Sequence, residues 1–332
     1  MLPVYVSDRY QKPPSYAKQK SATQCAAAAP QSPLIAIIHR SHLLLRSSDT
    51  GKIVRSVQLD VQFSATCSRL RWFRRSATDD LLLQSQDRQS GTSRLLVADD
   101  EAIHLYEASN PQWHVTINGA SSNTGKIAGV EFGYTADEVV VFSDFGLKAT
   151  IWSLLTSRGV EIRDPKFSSR GCCFRPRTGH LAMLTRETTK DVVMVLTPGT
   201  RELEHSFTLA TVDAQGLKWS PNGRWLVTWE AASAGYNILV YTSDGHLFRT
   251  YGGGQDVDRP GLGVKTAIWE PSERYLAIAC YNHHITLLSA ATVCAPSVEA
   301  TSSLTFPSSV PSPFSSTPTS SVVMPLQSGK SR

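Results

Sequence analysis

Apolar runs of four to eight residues recur along the chain, some alternating with polar positions and some wholly apolar, bounded by Pro, Gly, Asn, Asp and Ser. This is strand and turn chemistry, and the 3.6-residue spacing of an amphipathic helix is missing. The stretch "LKWSPNGRWLVTW", residues 217–229, shows the unit: two runs joined by Ser220-Pro221-Asn222-Gly223. Pro there sets one dihedral and Gly accepts a positive one, so the segment predicts a hairpin. "AIWEPSERYLAIA", "CCFRPRTGHLAML" and "VEFGYTADEVVVF" align beneath it, and two further runs follow each. The last large residue of the third run is Tyr106, Trp152, Leu196, Tyr241 and Leu288, at intervals of 46, 44, 45 and 47 residues. A more worn copy, "LIAIIHRSHLLLRSSDTGKIVRSVQL", places Leu45 61 residues before Tyr106, and the polar insert at 84–93 absorbs most of the excess. A period of about 45 residues with four strands per copy is that of propeller blades, which bury their faces only against one another. The expected fold is therefore all-β, a propeller of about six four-stranded blades. Trp219, Trp225 and Trp229 are assigned to blade packing rather than to a ligand platform.

The pattern fails at both ends. Residues 1–33 are irregular, with an outer strand conceivable in "LPVYV"; residues 34–295 form the repeat array; residues 296–332, rich in Ser, Pro and Thr, are expected to be disordered. The 332 residues are 41% hydrophobic and 18% charged, enough for a sizeable core. The net charge of +5 is not gathered in one block, so it permits acidic partners without requiring nucleic acid or a membrane. Aliphatic runs reach only five residues, far short of a span. Six cysteines without C-x-x-C spacing suggest neither a disulfide framework nor a zinc site, and fit a reducing compartment.

Candidate chemistry is sparse. "GASSNTGKI", 119–127, misses the Walker spacing by one residue and has Ile127 where Ser or Thr would hold magnesium. His283 and His284 are adjacent on a strand and point to opposite faces, which does not suit one metal ion. No nucleophile elbow, catalytic cysteine signature or acid–base pair emerges, so no enzyme, cofactor or metal is expected. Partner-binding candidates are Arg69, Arg71 and Arg74 in "RLRWFRR", where alternation sends Leu70 and Trp72 inward and the first two arginines outward as a basic rim. Asp256, Asp258 and Arg259 join them, in a Gly-rich inter-blade loop that also reads as a binding loop. Ser312 and Thr317, each before Pro, are candidate sites of proline-directed phosphorylation.

The recurring "WSP-G--L" resembles degenerate WD repeats, although no Trp-Asp dipeptide occurs and the Asp-His-Ser-Trp tetrad is not recognisable. "PQWHVTI", "LKATIWSL", "GLKWSPNGRWLVTWE…YNILVYTSDGHLFRTY" and "LGVKTAIWEPSERYLAIACYNHHITLL" are similar in order and spacing to the centrosomal family called WD repeat-containing protein eight, over about 34–292. The resemblance implies a non-enzymatic scaffold of the cytoplasm and cytoskeleton, at the spindle pole body or centrosome. It implies work with a coiled-coil pole protein and a minus-end-directed kinesin to anchor microtubule minus ends in the mitotic spindle. Members of that family continue into further repeats, where this sequence turns to Ser and Pro. The alternative is a generic WD adaptor, either a ubiquitin-ligase substrate receptor or a ribonucleoprotein scaffold using the basic rim.

Overall fold

The structure is a computed structural model that describes residues 26–30, 32–74, 93–119, 124–166, 170–252, 263–281, 284–289 and 323–325. These residues build six antiparallel four-stranded sheets, each taking its strands in chain order. They fall into two compact units, one holding the first two sheets and the other the remaining four.

In the first unit, β1 (Ala26–Ala28), β2 (Leu34–His39), β3 (His42–Ser47) and β4 (Ile53–Gln58) form one blade, and β5 (Arg69–Trp72), β6 (Arg94–Ala98), β7 (Ala102–Glu107) and β8 (His114–Asn118) the next. Leu43, Leu45, Leu70, Leu95 and Val97 are nearly solvent-free in one core that spans both sheets. Between them a short helix, α1 (Val61–Thr66), is capped by Asp60, whose carboxylate accepts from the Gln62 and Phe63 amides. The connection from β5 to β6 runs over residues 73–93, against five residues at the same place in the third, fifth and last blades, so the excess of the first interval lies around the insert at 84–93, as expected. The helix folds because Phe63 buries itself in the shared core.

The second unit carries β9 (Ile127–Phe132), β10 (Glu138–Ser143), β11 (Lys148–Ser153) and β12 (Arg158–Arg163), then β13 (Cys172–Phe174), β14 (Leu181–Glu187), β15 (Lys190–Leu196) and β16 (Leu203–Thr208). Its last two blades are β17 (Ala214–Trp219), β18 (Trp225–Glu230), β19 (Asn237–Thr242) and β20 (Leu247–Gly252), and β21 (Val264–Trp269), β22 (Tyr275–Cys280), β23 (His284–Ser289) and β24 (Val323–Pro325). Successive sheets share cores, so Val140 packs with Leu181, Leu184 with Leu226, and Val227 with Ile278. All six ruler residues lie on third strands, which confirms the register of the repeat.

The hairpin at 217–229 forms as the residue types predict. The Ser220 amide donates to the Trp225 carbonyl at 2.8 Å, and Asn222 Oδ1 accepts from Ser220 Oγ at 2.8 Å and from the Arg224 amide at 2.8 Å. Gly223 sits at φ +72°, the left-handed region that favours glycine. Trp219 and Trp229 are buried and Trp225 is half-buried against the Phe248 ring at 4.6 Å, so all three pack the blade. Trp229 lies flat over Gly216, where a Cβ would meet its ring at 2.3 Å.

Two strands lie outside the expected array of 34–295. β1 pairs with β2 from within the segment read as irregular, as a first strand rather than an outer one, while "LPVYV" lies outside the described residues. β24 pairs with β23 from within the segment read as disordered. Both are three residues long, too short for alternation to reveal them.

Candidate docking face

Carboxylates pin neighbouring segments together in place of the missing tetrad. In the first unit Asp99 accepts from the Glu101 and Ala102 amides and from Thr66 Oγ1 at 2.7 Å. In the second, buried Asp191 accepts from the Ala214 amide at 2.6 Å and from Lys166 Nζ at 2.8 Å. Lys166 also reaches Asp213 at 2.6 Å, and Arg186 Nη1 reaches Asp213 at 3.2 Å. The hydrogen bond from Lys166, with help from Arg186 and Gln215, holds the Asp213 carboxyl below the usual aspartate range against the opposing desolvation. Glu230 accepts from the Val212 amide at 2.6 Å and from Asn237 Nδ2 at 2.7 Å.

These pins fix one end of the second unit, where second strands turn into third strands. The chain crosses that end in a hydrogen-bonded series: the Asp164 amide donates to the Leu147 carbonyl, the Arg186 amide to the Asp164 carbonyl, and the Ala231 amide to the Asp213 carbonyl. Along this series stand exposed apolar side chains: Phe145 at 90%, Val212 at 73% and Leu147 at 65% exposure. Phe145 occupies the left-handed region at φ +61° in the turn between β10 and β11. A non-glycine residue there costs about 1–2 kcal/mol. Ser143 holds the turn, its Oγ donating to the Lys148 carbonyl and accepting from the Lys148 amide at 3.0 Å each. The result is a hydrogen-bonded turn that holds a large apolar side chain in water, the profile of a protein contact surface. Sequence reasoning missed it, because "SDFGLK" reads as an ordinary turn.

The predicted site residues scatter. Arg69 is half-buried and donates to the Asp99 carbonyl at 3.0 Å and to Asp100 Oδ1 at 3.2 Å, so it stitches the turn between β6 and β7. Arg71 and Arg74 are exposed, while Leu70 and Trp72 face the core with the Trp72 Nε1–H donating to the Ala27 carbonyl at 2.9 Å. Asp256, Asp258, Arg259, Ser312 and Thr317 lie outside the described residues. No group of three metal-ligating side chains occurs among the described residues, and no helix among them is long and apolar enough to cross a membrane. Burial pushes the Cys67 thiol up to about 11 and those of Cys172 and Cys173 to about 12, leaving poor nucleophiles.

Comparison with known proteins places this geometry. No family model matches the sequence. The chain is similar to the mouse WD repeat-containing protein WRAP73, with 29% identity over 187 residues, 56% of this chain and 39% of that protein. A WD repeat-containing protein of Schizosaccharomyces pombe is 24% identical over 75% of this chain and 48% of its own length. The chain is a WD-repeat protein. It matches less than half the length of each of these curated relatives. Among solved structures, Kluyveromyces lactis Hsv2 superposes with a TM-score of 0.51 at 13% identity, over 82% of this chain and 76% of that one. The Dos1 propeller does so with a TM-score of 0.50 at 12% identity, over 80% of this chain and 66% of that one. The fold of this WD-repeat chain is a β-propeller.

Proposed function

We propose that this WD-repeat protein is a non-enzymatic scaffold of the spindle pole body or centrosome that helps anchor microtubule minus ends and organise the mitotic spindle through protein–protein contacts. Its partners in this reading are a coiled-coil pole protein and a minus-end-directed kinesin. The carrying observation is the exposure of Phe145, Leu147 and Val212 along the hydrogen-bonded end of the second unit. Covering a Phe side chain of this exposure is worth about 1.5–3 kcal/mol, and the turn holds it in place before the partner arrives. The apolar face of a coiled-coil helix is chemistry that such a row accepts. The choice of the pole rests on the order and spacing of the Trp-containing motifs resembling the centrosomal family.

The test is to tag the chain at its N-terminus in dividing cells and image it against γ-tubulin, beside the variant Phe145→Asp/Val212→Asp. The reading expects focused signal at poles that the variant loses while limited proteolysis shows its fold intact. Diffuse signal from the unsubstituted chain would overturn the pole assignment in favour of a generic adaptor. Equal focusing of both proteins would remove the row from the mechanism.

A further inference from the structure

The outer hairpin of the second blade gathers two histidines that the docking face does not use. His104 of β7 lies opposite Thr116 of β8, and Tyr106 opposite His114, so the four side chains share one face of the sheet. That face turns toward the first blade. Phe63 of α1 meets the His104 ring edge-on at 4.3 Å, Tyr106 stacks on His114 at 4.8 Å, and Arg55 of β4 donates to the Glu107 and Pro111 carbonyls beside the turn that joins the two strands. Three donor atoms converge there. His104 Nδ1 and His114 Nε2 are 3.2 Å apart, and Thr116 Oγ1 is 3.3 Å from each. A tetrahedral ion with bonds of about 2.0–2.1 Å to nitrogen or oxygen separates its ligand atoms by about 3.3–3.4 Å, so the triangle has the size of one face of such a site.

We propose that His104, His114 and Thr116 form a binding site for a divalent transition ion of the zinc class, with water at the fourth position. Imidazole selects such ions over calcium and magnesium, which prefer oxygen. Desolvation holds both rings below their ordinary 6.5, with His114 adding to the effect on His104 and Arg55 to that on His114, so both lone pairs are available at neutral pH. Of the charges nearby, Asp99 favours a cation and Arg55 opposes it, with its guanidinium turned to the two carbonyls. Packing against Phe63 sets the plane of His104. His114 and Thr116 are exposed, which gives the ion its path in and lets the His114 ring swing its lone pair from His104 toward the ion. Ten positions separate the two histidines, so the site lacks the close spacing by which metal motifs are recognised in a sequence. It belongs to the first unit and is independent of the docking face on the second.

Carbethoxylation of histidines by diethyl pyrocarbonate, mapped by mass spectrometry on the full chain with and without Zn2+, tests the site. The expected result is modification of His104 and His114 about tenfold slower with zinc, while His246, whose side chain is 81% exposed, reacts at an unchanged rate. In His114→Gln zinc no longer protects His104, because one imidazole alone holds the ion weakly, and Thr116→Val needs several-fold more zinc for the same protection. Unchanged rates at both histidines of the unsubstituted chain would overturn the site. Protection spread equally to His246 would show an adventitious ion only and overturn it as well. Protection of His104 that survives in His114→Gln would overturn the chelating pair. The first comparison uses the unsubstituted chain, so it decides even if a variant does not fold. None of these readouts depends on where the protein resides in cells, so the result stands apart from the imaging.

Discussion

The fifth and last blades open on the same hairpin pattern, "KWSPNGRWLVTW" against "IWEPSERYLAIA", with Trp, Pro, Arg and Leu in register, and end differently. The fifth has a fully buried Trp229 and Tyr241 and an outer strand of six residues directly after β19. The last has a half-buried third strand and a borrowed outer strand of three residues. Three inner strands are dictated locally, by alternation and turn residues. Coverage of the third depends on what the chain supplies next, so similar sequence yields blades of unequal completeness.

Four experiments break or sharpen that contrast. Trp229→Ala in the fifth blade empties a site with no solvent contact above Gly216, and is expected to cost about 3–5 kcal/mol by urea unfolding. Leucine truncation on the two third strands should separate the blades directly. Leu239→Ala is expected to cost about 2–4 kcal/mol and Leu287→Ala about half of that, and equal costs would show that the last blade is as well packed as the fifth. The turns offer a smaller test. Where the fifth blade has Gly223 at φ +72°, the last has Glu273 at φ +60°. Glu273→Gly is expected to stabilise the protein by about 1 kcal/mol and Gly223→Ala to destabilise it by a similar amount, read as opposite shifts in melting temperature.

The smallest effect is in the pH dependence. Burial raises the Glu273 carboxyl above its ordinary 4.5, against hydrogen bonds from Ser220 and Asn222 and the nearby Arg224 and Arg177 charges. A raised folded-state value means that the stability it contributes is fully present below 4.5 and is lost as pH rises through the folded value. Glu273→Gln therefore unfolds like the unsubstituted protein at low pH and gains a relative advantage above pH 4.5, measured as a difference in urea midpoint across a pH series.

Most of the architecture was legible in the sequence because blades repeat. The ruler residues fell on third strands, and the inward alternation of Leu70 and Trp72 held. What escaped reading lies between segments or in too few residues. β1 and β24 show no alternation at three residues, and α1 is a single short segment with no period to detect. The docking row escaped for a different reason. Nothing in the letters Phe145 and Val212 says that both side chains point to solvent: Val212 is held by Glu230 at its amide and Arg186 at its carbonyl, 18 and 26 positions away. Arg69 shows the reverse: its type suggested a free cation, and tertiary structure spends it on the Asp99 carbonyl.

Glu138 and Arg201 decide where this protein can be dissected. The two buried side chains, 63 positions apart, meet through paired contacts of 2.5 and 2.8 Å, and Arg201 also donates to the Gly179 carbonyl at 2.7 Å. A fragment cut between β12 and β13 would strand the Glu138 carboxylate without its guanidinium, a loss that breaking a buried pair puts at about 3–5 kcal/mol. Blades, visible as the unit of sequence, are thus not the unit of autonomy. Any excision, permutation or chimera that respects the 45-residue repeat but separates these two residues divides a folding unit.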